Sequence, residues 1–86
     1  MNPKRRVEMT RRAKRDLDDL DVPQRAVVVN KISQFAAGEL NSDIRKLQGY
    51  HPARWRLRIG EYRAILTLEG HVIIVERVLL RRDAYH

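Results

Sequence analysis

The chain begins with an alternation, Arg5, Val7 and Met9 against Arg6 and Glu8. A period of two puts successive side chains on opposite faces of a strand, so a short strand is predicted over residues 4–9. Beyond it the period lengthens. Thr10 suits a helix N-cap, its hydroxyl accepting from an unpaired N–H of the first turn. A first helix of the usual length, about 10–11 residues, brings Ala13, Leu17 and Leu20 onto one face. Asp21-Val22-Pro23 then supplies a stop, a short turn and a proline fitted to a first helical position. The second helix carries Val27, Val28, Ile32, Phe35 and Ala36 toward the core, and Gly38 closes it as a left-handed cap. Two helices joined by so tight a turn form a helical hairpin.

After Gly38 the period returns to two. Strands are predicted at 44–48, 54–59, 62–69 and 71–79, with a loop at Gly49-Tyr50-His51-Pro52 and turns at Gly60-Glu61 and Glu69-Gly70. Short turns make antiparallel neighbours. The expected fold class is therefore α+β: an N-terminal strand, a two-helix hairpin, then an antiparallel four-stranded meander with the helices on one face. No repeat, low-complexity tract or linker interrupts the chain, and 86 residues leave no room for a second core, so a single domain over 1–86 is expected.

Composition narrows the chemistry. With no cysteine, disulfides, thiolate metal sites and thiol nucleophiles are excluded together. Val72-Ile73-Ile74-Val75 is far too short to span a bilayer, and no apolar run follows Lys4, Arg5 and Arg6 as a signal peptide requires. A cytoplasmic location, with no membrane partner, is the expectation. The net charge is +7, from 18 Lys plus Arg against 11 Asp plus Glu. Arg dominates the cations, and its planar fork of donors suits phosphate better than the point charge of Lys. Such a balance implies a polyanionic or acidic partner.

The informative segment is Ala53-Arg54-Trp55-Arg56-Leu57-Arg58-Ile59-Gly60-Glu61-Tyr62-Arg63. Alternation sends Trp55, Leu57 and Ile59 one way and Arg54, Arg56 and Arg58 the other, the arginines about 6.5–7 Å apart. Arg63, just past the turn, joins that row from the neighbouring strand. Like charges side by side on a sheet repel by roughly 0.2–1 kcal/mol per pair, so something other than stability favours the row. A solvated outer face is the bland alternative, but such faces usually mix Lys, Glu and Thr. Lys46 on the preceding strand and Arg81, Arg82 and Tyr85 at the C-terminus are placed to extend the basic surface. A phenol among guanidinium groups can stack on a base or exchange a proton. The acidic run Asp16-Leu17-Asp18-Asp19-Leu20-Asp21 lacks the glycine loop and third ligand of a cation site and reads as a solvated helix face. Neither a metal nor a cofactor is expected.

The stretches Lys46-Leu47-Gln48-Gly49, Arg54 through Arg63 and Arg81-Arg82-Asp83-Ala84-Tyr85 resemble the RelE/ParE toxin superfamily, and the strand and two-helix hairpin stand in that family's order. The resemblance spans nearly the whole chain. It implies the toxin of a type II toxin–antitoxin system, a ribosome-dependent endonuclease of messenger RNA, held in a hetero-oligomer by an acidic, partly disordered antitoxin. It places Arg56, Arg58, Arg63, Arg81 and Tyr85 around the scissile phosphate; Lys46, Arg54 and Arg82, on the same basic surface, are read as further RNA contacts. The implied chemistry is metal-free: the 2′-hydroxyl attacks its own phosphate while arginines neutralise the developing charge. Many members carry Lys on the central strand where this chain has Arg, which cannot serve as a base. That leaves Tyr85 as the proton-transfer group, or the base unidentified. Leu80 stands where a His often precedes the C-terminal arginine pair; His51 and His86 read as exposed bystanders, and His71 has no assigned role. Two other readings stay open: a ParE-like inhibitor of DNA gyrase, and a nonenzymatic nucleic-acid-binding module.

Overall fold

The computed structural model describes residues 5–39 and 42–80. Its elements are β1 (Arg6–Met9), α1 (Arg11–Asp18), α2 (Val22–Ala36), β2 (Asp43–Leu47), β3 (Arg54–Ile59), β4 (Tyr62–Glu69) and β5 (Val72–Leu80). The strands form one sheet in the order β1-β5-β4-β3-β2. β2 to β5 are the antiparallel meander that the alternation predicts, and β1 adds a parallel edge along β5. The helices cover one face, which gives the α+β arrangement.

Local signals set the element ends. Thr10 caps α1, its Oγ1 accepting from Ala13 N at 3.0 Å and donating to Glu76 O at 3.0 Å, so the same hydroxyl ties the helix to β5. α1 has 8 residues, shorter than the periodicity suggests. The side chain of Arg25 reaches back from α2 to the carbonyls of Leu17, Asp18 and Leu20, which takes up acceptors that a longer helix would have used itself. α2 starts at Val22, so Pro23 falls second in its first turn. It closes where Gly38 takes φ 85°, with Gly38 N donating to Phe35 O and Glu39 N to Gln34 O, the paired bonds of a left-handed helix stop. β2 lies one residue earlier than expected and β5 one later, since the second tight turn is Gly70-His71, with Glu69 opposite Val72.

The core lies between helices and sheet: Ala13, Leu17, Val28, Ile32 and Ala36 against Leu57, Ile59, Ala64, Leu66, Ile73, Val75 and Val78. Phe35 packs at its edge, but Val27, expected inside, is 56% exposed because α2 turns Val28 inward instead. The acidic run also divides. Asp18, Asp19 and Asp21 are exposed as expected, whereas Asp16 is not solvated. Its Oδ2 accepts from Arg77 Nε and from Val78 N, each at 2.9 Å, which serves the edge of β5 where pairing with β1 has ended.

Candidate nucleic-acid interface: an arginine groove

Register decides which side chains share the face away from the helices. On β2 and β3, Asp43, Arg45 and Leu47 stand opposite Arg58, Arg56 and Arg54. On β4, Arg63, Ile65 and Thr67 stand opposite the same three arginines. β5 contributes Leu79 opposite Arg63 and Arg77 opposite Ile65. A groove of about 360 Å³ runs across these strands, lined by the guanidinium-bearing Arg54, Arg56, Arg63 and Arg77, by Tyr50, and by aliphatic Leu47, Ile65 and Leu79.

Each of these arginines is held by a different partner. Arg63 is only 2% exposed; its Nη1 donates to the carbonyls of Gly60 at 3.3 Å and Tyr62 at 3.1 Å. Arg56 Nη2 lies 3.5 Å from Asp43 Oδ1. Arg54 sits over the Tyr50 ring, 5.3 Å from its centroid, a cation–π contact. Arg77 Nε donates to Asp16. The Nε atoms of both Arg56 and Arg63 are buried and have no hydrogen-bond partner among the described residues. A buried donor without an acceptor costs about 1–3 kcal/mol, more on a charged group. Two such donors in one basic groove fit an anionic ligand carrying several acceptor oxygens, and guanidinium matches phosphate geometry.

The structure brings Arg54, Arg56 and Arg63 together in this groove, and separates them from two other expected site residues. Arg58 shares their face but is exposed, and lines a different hollow at the hairpin end with Lys31, Glu39 and Asp43. Lys46 pairs with Trp55, so it belongs to the side of the sheet carrying Leu57 and Ile59, and it borders the loop after β2. Arg81, Arg82 and Tyr85 lie outside the described residues. The sequence reading missed Arg77 and Tyr50. Strict alternation from Ile73 and Val75 would send Arg77 into the core; a bulge against Ile65 and Leu66 switches the parity and turns it outward. An arginine at an otherwise apolar parity was the available signal. Among the described lining residues, Tyr50 carries the one hydroxyl. No group of three or more His, Asp or Glu suited to a metal ion occurs among the described residues, and no helix there is long and apolar enough to cross a membrane.

Comparison with known proteins agrees with this architecture. Toxin RelE3 of Methanocaldococcus jannaschii is 43% identical over 47 residues, which cover 55% of this chain and 52% of the relative, so the match spans about half the length of that relative. A chain of the RelB–RelE antitoxin–toxin complex from Methanococcus jannaschii superposes with a TM-score of 0.75 at 29% identity, covering 92% of this chain and 95% of the other. A chain of the RelBE2 toxin–antitoxin complex from Mycobacterium tuberculosis shares the fold with a TM-score of 0.77 at 24% identity, covering 92% and 100%. The family model described as ParE toxin of type II toxin-antitoxin system, parDE, matches residues 7–85. With a strand, helix hairpin and meander in that order and a family match over nearly its whole length, this chain belongs to the ParE toxin family, within the RelE/ParE toxin superfamily.

Proposed function

We propose that this chain is the toxin of a type II toxin–antitoxin pair and a ribosome-dependent, metal-free endonuclease of messenger RNA. The observation that carries the reading is the pair of buried Nε donors on Arg56 and Arg63, without partners among the described residues, in one groove. A phosphodiester entering there lies against guanidiniums held by Asp43 and by the hairpin carbonyls, and reaches the two covered Nε donors once the groove side chains part. In the cleavage step the 2′-hydroxyl oxygen attacks the adjacent phosphorus and gives up its proton. The bond from phosphorus to the 5′-oxygen breaks, and that oxygen takes a proton. The products are a 2′,3′-cyclic phosphate and a 5′-hydroxyl. Arg56 and Arg63 neutralise the non-bridging oxygens, a contribution of about 2.7–4 kcal/mol for each preorganised donor. Arg81 and Tyr85, which follow β5 in the sequence, complete the site, with Tyr85 the proton-transfer group. Arg54, Arg82 and Lys46 hold flanking nucleotides, and Arg58 contacts RNA beyond the hairpin end.

The ribosome presents the message, and an acidic, partly disordered antitoxin covers the basic face, a pairing supported by the antitoxin–toxin complexes among the structural relatives. Both partners place the chain in the cytoplasm. One observation favours a second reading: the matching family model is that of ParE toxins, which fits gyrase inhibition. Induced expression with methionine and thymidine incorporation followed in parallel separates the two. The proposal expects methionine incorporation to collapse first, and to survive in Arg63→Ala. Early loss of thymidine incorporation with translation intact would favour gyrase.

A further inference from the structure

The arginine groove continues past Arg54. The loop between β2 and β3 forms a second hollow of about 430 Å³, bordered by Lys46, Leu47, Gln48, Tyr50 and His51. Leu47, Gln48 and Tyr50 line both spaces and together separate them. Its ring lies against the Arg54 guanidinium, yet the residue is 47% exposed. An aromatic held by a cation on one side and open on the other is a stacking platform.

We propose that this hollow receives an unpaired nucleobase of single-stranded RNA, stacked on the open face of Tyr50, next to the phosphate taken by Arg56 and Arg63. The inference rests on the RNA-cutting reading and assigns that site a base subsite. Arg54, which holds Tyr50, and Arg56, which lines the groove, are one strand repeat apart, about 6.5–7 Å. That separation suits a base and an adjacent phosphate of one extended chain. Gln48 offers both an amide donor and a carbonyl acceptor to a base edge, and Lys46 supplies charge for the following phosphate. The hollow therefore mixes a neutral stacking surface with one flanking cation, which fits a nucleotide better than an acidic peptide.

The test is equilibrium binding of the purified chain to a fluorescent hexauridylate and to an abasic ribose-phosphate oligomer of the same length. Tyr50→Ala should weaken hexauridylate binding about 5- to 150-fold, the range for loss of one stacked base. Binding of the abasic oligomer should be unchanged, and Tyr50→Phe should behave as the parent chain does. Equal losses on both oligomers, or no loss on either, would overturn the subsite while leaving the arginine groove intact. Arg56→Ala separates the two levels: it should weaken both oligomers alike. Failure of the parent chain to bind either oligomer would overturn the subsite, while cutting of a translated message tests the RNA-cutting reading separately.

Discussion

Arg63 is among the largest fully buried side chains and also lines the groove, so replacing it separates chemistry from folding. Its guanidinium donates to two main-chain carbonyls, at 3.3 and 3.1 Å, and keeps one Nε–H without a partner among the described residues. Bonds from a charged donor contribute about 1.5–3 kcal/mol each. Withdrawing the charge from water costs several kcal/mol. These terms nearly cancel. Arg63→Met keeps an unbranched chain and removes the charge, and the exposed Gly60 carbonyl it releases can turn to water. Stability should therefore stay within about 1–2 kcal/mol of the parent. Cleavage should fall about 10²- to 10³-fold, the loss expected for one preorganised donor. Urea unfolding read from Trp55, the single tryptophan, measures the first quantity. Cutting of a translated message in a reconstituted system measures the second. A variant as active as the parent, or one that is inactive only because it no longer folds, would refute the reasoning.

Three further outcomes follow from the contacts. Asp16→Ala removes the acceptor shared by Arg77 and Val78 N and should destabilise the fold by about 2–4 kcal/mol, read as a urea midpoint; an unchanged midpoint would contradict the structural role of this carboxylate. Thr10→Ala loses a helix cap and a bond to β5, a cost of about 1–2 kcal/mol in the same assay, while Thr10→Ser should retain most of the stability. The purified toxin–antitoxin pair should dissociate more readily as salt rises, measured by titration calorimetry, because the +7 chain attracts an acidic partner; a constant affinity would count against charge complementarity.

The elements and their order are legible in the sequence because their signals are local. Thr10, Gly38 and the Gly60 turn mark ends through hydrogen bonding and φ values set by neighbouring residues. Alternation likewise puts Arg54 and Arg56 on one face and Arg63 beside them. What stays hidden depends on distant partners. The face that Lys46 occupies follows from its register with Trp55, and the outward turn of Arg77 from a bulge against β4. Asp16 looks like one acid among several until the free edge of β5 is placed beside it. The depth of Arg63 arises from its surroundings in the folded sheet, which no sequence window contains. The exposure of Val27 beside buried Val28 is a matter of helix rotation, which a run of three valines does not define.

The most direct measurement is the end chemistry of a message recovered from reconstituted translation in the presence of the purified chain. Attack by the 2′-hydroxyl predicts cuts within the codon in the ribosomal A site, a 2′,3′-cyclic phosphate on one fragment and a 5′-hydroxyl on the other, and about 10²- to 10³-fold slower formation of these with Arg56→Ala. An uncut message, or fragments ending in a 3′-hydroxyl and a 5′-phosphate, would contradict it.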